Sequence, residues 1–114
     1  MKNEFIPYEQ ALALKELGFD EECFSFYNAI GEVYESEGYY RYSHNVHKDE
    51  VIAPLYQQAF RWFREECGLR HFIEYDNGHY NAVVQSSLVY HCDTHEEAEL
   101  ACLKKLIELS TKTA

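Results

Sequence analysis

At 114 residues the chain is one domain's worth, with room for one modest core. Hydrophobic residues at 46% and aromatics at 16% exclude a disordered chain, and ten tyrosines with seven phenylalanines can fill a core or line a binding surface. The net charge of −10, with basic residues scattered from Lys2 to Lys112, disfavours a nucleic acid polymer or an anionic membrane as partner.

The acids are interleaved with apolar residues in ordinary helical patterns, which argues against imitation of DNA by a carboxylate surface. Cys23, Cys67, Cys92 and Cys102 form no C-x-x-C pair, and three of them lie within apolar patterns, where a thiol behaves as a small hydrophobe. The first residues, Met-Lys-Asn-Glu-Phe, lack the apolar run of a signal peptide, and no stretch approaches the length of a membrane span. The expectation is a single domain in the cytoplasm, in a reducing compartment with free thiols.

In chain order, the first helix is punctuated by Pro7 at a first helical position and by Gly18 just past the end, with Phe19 folding back. Its apolar residues, from Tyr8 to Leu17, point almost all round, as on a helix covered on more than one side. From Glu22 to Asn28 the pattern alternates and predicts a strand. Asn28 to Gly31 is turn-like, and Glu32 to Ser36 predicts a returning strand. Tyr39-Tyr40-Arg41-Tyr42 predicts a third short strand, and His44 to Glu50 a loop.

A second helix runs from near Pro54 to Gly68. Leu55, Tyr56, Ala59, Phe60, Trp62, Phe63 and Cys67 share one broad face, with Glu66 intruding on it. Leu69 to Tyr75 and His79 to about Tyr90 predict a hairpin, because Asp76-Asn77-Gly78 supplies the positive-φ residues of a tight turn. The last helix opens with the capping box Thr94-x-x-Glu97 and carries the polar stripe Glu97, Lys104, Lys105 and Glu108. The expected fold is α+β, with an antiparallel sheet of about five strands and three helices in the order α-β-β-β-α-β-β-α. The helices offer more apolar surface than one small sheet needs, which favours a homodimer or a partner protein.

Three stretches carry a resemblance. They are Phe5-Ile6-Pro7-Tyr8 through Leu17-Gly18-Phe19-Asp20-Glu21, Ile52-Ala53-Pro54 through Gln58-Ala59-Phe60-Arg61-Trp62-Phe63-Arg64-Glu65, and Glu96-Glu97-Ala98-Glu99-Leu100-Ala101-Cys102-Leu103 with its continuation to Glu108. On these the chain resembles a group of small uncharacterised proteins of Bacteroidetes phages and prophages. The resemblance covers somewhat under half the chain. Members often have Pro where this chain has Glu22, and the strands match poorly. The resemblance carries no functional residues over. It implies a context, the host cell cytoplasm, in which small accessory proteins counter host defence by binding a host protein or by sequestering a nucleotide-derived signal.

His91-Cys92-Asp93-Thr94-His95 is the densest group of metal-ligand residue types, and a complete zinc site needs three or four ligands. His44-x-x-His47 could complete it only from a loop, and loop and cap polarity explains the group as well. Cysteine catalysis would need an imidazole beside Cys92, but His91 points to the opposite strand face. Glu66 at an apolar wheel position would be desolvated unless an arginine met it. Tyr39 and Arg41 share one strand face, and His71 shares another with Tyr75, with Tyr80 after the turn. Tyrosines stack on bases and arginine forks onto phosphate, so these five residues are the candidate ligand site; cross-strand aromatic pairing is the structural alternative. No phosphate-cradling loop or nucleophile elbow occurs. The expectation is a non-catalytic binding protein, not an enzyme, with no cofactor and no metal. It sequesters a small nucleotide-like ligand or, alternatively, binds a host or phage protein.

Overall fold

The structure is a computed structural model and describes residues 4–23, 25–35 and 48–113. The order is α1 (Tyr8–Glu16), β1 (Ser25–Tyr27), β2 (Val33–Glu35), β3 (Val51–Ile52), α2 (Tyr56–Glu66), β4 (His71–Asp76), β5 (His79–Val84), β6 (Ser87–Cys92) and α3 (His95–Thr113). The class is α+β, with three helices among the described residues. The expected single sheet of about five strands in the order α-β-β-β-α-β-β-α is corrected: the described residues hold six strands in two three-stranded antiparallel sheets, ordered β2-β1-β3 and β4-β5-β6, with three strands rather than two between α2 and α3. The chain divides into two compact units, Met1–Leu55 and Tyr56–Ala114.

In the first unit, Pro7 stands one position ahead of α1, extended at φ −64° and ψ 157°, and its carbonyl accepts the Ala11 N–H at 2.9 Å. The far end closes as a Schellman motif. Gly18, at φ +98°, donates to the Lys15 carbonyl and Phe19 to the Leu14 carbonyl at 3.0 Å, which buries the Phe19 ring. Ala11 and Leu14 are buried, while Leu12 lies 37% exposed, so α1 is covered on fewer sides than its apolar content suggests. The β1–β2 turn is organised by Asn28, whose Oδ1 accepts the Ile30 and Glu32 N–H groups at 3.1 and 2.9 Å. Phe26 stacks on its register partner Tyr34.

β3 has no counterpart among the expected strands. It pairs Ile52 with Phe26 and Val51 with Tyr27, between the loop expected to Glu50 and the helix expected from near Pro54. Two residues are too short for an alternating pattern. They form a strand because both are fully buried and β1 offers its open edge. The Tyr27 hydroxyl donates to the Ile6 carbonyl at 2.6 Å, and Ile6 N–H to the Pro54 carbonyl at 3.0 Å, which closes the core around Phe5, Ile6, Leu14 and Phe19. The strand expected at Tyr39–Tyr42 lies outside the described residues.

In the second unit α2 buries Tyr56, Ala59, Phe60, Trp62 and Phe63 and exposes Arg61, Arg64 and Glu65, as its wheel requires. The expected long strand from His79 to Tyr90 is two strands. Gln85 and Ser86 adopt φ +53° and +68°, reversing the chain between the paired residues Val84 and Ser87. Asn77 and Gly78, at +56° and +82°, do the same between Asp76 and His79. A bulge at Ala82/Val83 leaves Val89 as an extra residue on β6, since Val83 faces Leu88 and Ala82 faces Tyr90. The Thr94 hydroxyl accepts the Glu97 N–H at 3.1 Å, capping α3. Along α3, Ala98, Cys102, Leu103 and Leu106 are buried, and the helix packs on all three strands of the sheet.

Candidate functional site

Of the five candidate ligand residues, Tyr39 and Arg41 lie outside the described residues. His71, Tyr75 and Tyr80 are engaged with neighbouring rings. His71 stacks on Phe60, with ring centroids 3.7 Å apart and planes at 24°. Burial and then the nearby Arg64 guanidinium hold its imidazole below the usual range, so it is neutral at pH 7. Tyr75 and Tyr80 are directly paired across the β4–β5 ladder and meet edge to face at 5.1 Å. Tyr80 also meets His95 edge to face at 5.7 Å. His71 and Tyr75 share a sheet face but lie four residues apart, about 13 Å along a strand. The structure therefore joins Tyr75 to Tyr80 and places His71 in a separate ring stack.

The histidine-rich segment before α3 is dispersed by the pleat. His91 lies on the face opposite Cys92, and its Nδ1 is 2.6 Å from Asn81 Oδ1. The Asn81 amide in turn donates to Glu74 Oε1 at 3.3 Å, making a polar row across three strands. Asp93 Oδ1 lies 3.7 Å from His79 Nδ1, and His95 Nδ1 lies 3.6 Å from Glu99 Oε1. Among the described residues no three His, Cys, Asp or Glu side chains converge to hold a metal ion. His44 and His47 lie outside the described residues.

All four cysteines are free thiols. Burial, with Glu97 and Asp93 nearby, raises the Cys92 thiol above its usual value. Burial pushes Cys23 up to about 12 and Cys102 up to about 11. These buried groups are held as neutral thiols, the wrong form for a nucleophile. Glu66 is exposed, not desolvated: it ends α2, and the wheel position that would bury it mid-helix faces solvent there. Cys67, the next residue, is exposed for the same reason.

The surface that the sequence pattern does not mark is a groove between β6 and α3. It has a volume of about 400 Å³. Val89, Tyr90, Leu100 and Ala101 form an apolar floor, and Glu97, Lys104, Lys105 and Glu108 stand along the helix. Among the described residues β6 pairs with β5 alone, and Tyr90 on it is 65% exposed. The β6 bulge turns the extra residue, Val89, toward this groove. Periodicity assigns Leu100 to the core face of α3 and the charged residues to a solvated stripe. The only sequence signal for the groove is that Leu100 and Ala101 sit within that stripe, between Glu97 and Lys104.

No helix among the described residues is long and apolar enough to cross a membrane. The chain matches no known family model, no curated protein and no solved structure.

Proposed function

We propose that this chain is a non-catalytic protein-interaction module that binds through the β6–α3 groove. The carrying observation is the groove itself: an apolar floor with a 65%-exposed tyrosine, rimmed by two acids and two lysines, beside a strand that pairs on one side only among the described residues. An exposed aromatic on an apolar floor with a charged rim is the anatomy of a protein interface. Neutral buried thiols and the dispersed histidines give the reading no competing chemistry at that place. With the resemblance to phage accessory proteins, this reading makes the partner a host or phage protein met in the host cytoplasm. The test is a photo-crosslinking phenylalanine analogue in place of Tyr90, irradiated in expressing cells. A discrete protein adduct is expected at residue 90 and not at the control site Tyr34. No adduct at residue 90 would remove the assignment.

Sequestration of a nucleotide-like signal is the second reading, favoured by Tyr75, whose ring is 65% exposed beside Tyr80. In that reading Tyr75 stacks on a base, and the phosphate role of Arg41 is the expectation from the sequence. Calorimetric titration with cyclic oligonucleotides checks it: Arg41→Ala is expected to abolish binding with the fold intact, and unchanged affinity would discard the role of Arg41.

A further inference from the structure

We propose that the protein occupying the β6–α3 groove is a second copy of this chain, with the two α3 helices antiparallel about a two-fold axis at Ala101. This rests on the reading of the groove as a protein-binding surface. A two-fold contact must be self-complementary, because each patch meets its own image. The groove face of α3 meets that demand in charge. Glu97 and Lys105 each stand four residues from Ala101, one on either side, and both line the groove. Antiparallel pairing centred on Ala101 therefore sets Glu97 of each copy against Lys105 of the other. Lys105 is already within 3.5 Å of Glu108, so its ammonium would bridge two carboxylates.

Shape agrees with charge. Ala101, at the axis, is the smallest side chain of the groove floor, and helices approach to about 8 Å only over small residues. Tyr90 and Leu100 line the same groove, so each copy brings an aromatic ring and a leucine to the contact. The whole chain carries −10, which opposes self-association, but the groove's own charges balance: Glu97 and Glu108 against Lys104 and Lys105. The bulge in β6 kinks the strand edge and disfavours a continuous ladder between copies, so helix pairing carries the contact.

Sedimentation velocity of the full chain across a wide concentration range tests this, with circular dichroism to verify each variant's fold. The wild type is expected to dimerise, and Ala101→Glu to weaken the dimer about a hundredfold by placing two carboxylates at the axis. Glu97→Lys and Lys105→Glu are each expected to weaken it about tenfold, and the double exchange to restore it, because the pairs re-form with reversed sign. A merely hydrophobic contact elsewhere would not show that restoration. A wild type that stays monomeric overturns the proposal. A folded Ala101→Glu variant that dimerises as well as wild type also overturns it. The crosslink at residue 90 separates the two levels: an adduct at twice the 13.5 kDa chain mass supports the dimer, and an adduct of another mass overturns it while leaving the groove a protein-binding surface.

Discussion

Two turns of the same sheet reach the same backbone by different means. Asn77-Gly78 and Gln85-Ser86 are both two-residue connections with positive φ at both positions. The first uses residues that adopt that conformation at little or no cost. The second uses two residues that do not. It is held instead from outside: Gln85 Oε1 accepts the Arg70 N–H at 2.8 Å, and Gln85 N–H donates to the Arg70 carbonyl at 2.9 Å. These bonds continue the β4–β5 ladder one step past the His71–Val84 pair. A strained turn can thus be fixed either by intrinsic preference or by hydrogen bonds from the neighbouring strand, and only the first leaves a mark in local sequence.

The largest effect is expected for Gly78→Ala, which places a Cβ at φ +82° and should cost about 1–2 kcal/mol in urea unfolding. The cost is conformational, since nothing lies within 4 Å of that Cβ. Gln85→Ala is expected to cost about 1 kcal/mol through the lost bond to Arg70, and amide exchange should quicken at Arg70 before it does at Asp76. Ser86→Gly should be the mildest change and of opposite sign, a gain of about 0.5 kcal/mol, because glycine relieves φ +68° while loosening the unfolded chain. If Ser86→Gly destabilised the fold, relief of strain would be the wrong account of that turn.

Acid should distinguish the two ends as well. His71 pairs with Val84, immediately before the Gln85 turn, and its imidazole is held below the ordinary value of 6.5. The folded chain therefore binds fewer protons there than the unfolded chain. That stabilisation is complete above pH 6.5 and is lost as pH falls through the folded value. Hydrogen exchange is expected to show the Val84 end loosening on acidification before the Asn77-Gly78 end, and His71→Phe, which keeps a ring on Phe60, should remove the difference.

The same division runs through the rest of the molecule. Features encoded within a few residues were legible. Gly18 and Phe19 end α1, the α2 wheel exposes Arg61 and Arg64, Asn77-Gly78 makes its hairpin, and Thr94 caps α3. Local sterics and the period of burial act at that range. β3, the second turn and the fate of Glu66 were not legible, since each depends on where a chain end or a distant strand comes to lie. The expected ligand site divided likewise: the Tyr75–Tyr80 pair follows from hairpin register, whereas His71 answers to Phe60 on another element.

Composition and periodicity alone reach the α+β class, the three helices and the faces that most of them bury. Those properties come from short-range backbone preference and from the one-dimensional order of apolar residues. Which strands pair, that they form two sheets rather than one, and that Leu100 and Ala101 of α3 come to face Tyr90 across a groove depend on contacts between residues far apart in the chain. Such contacts are chosen by packing in three dimensions, for which no local pattern is a substitute.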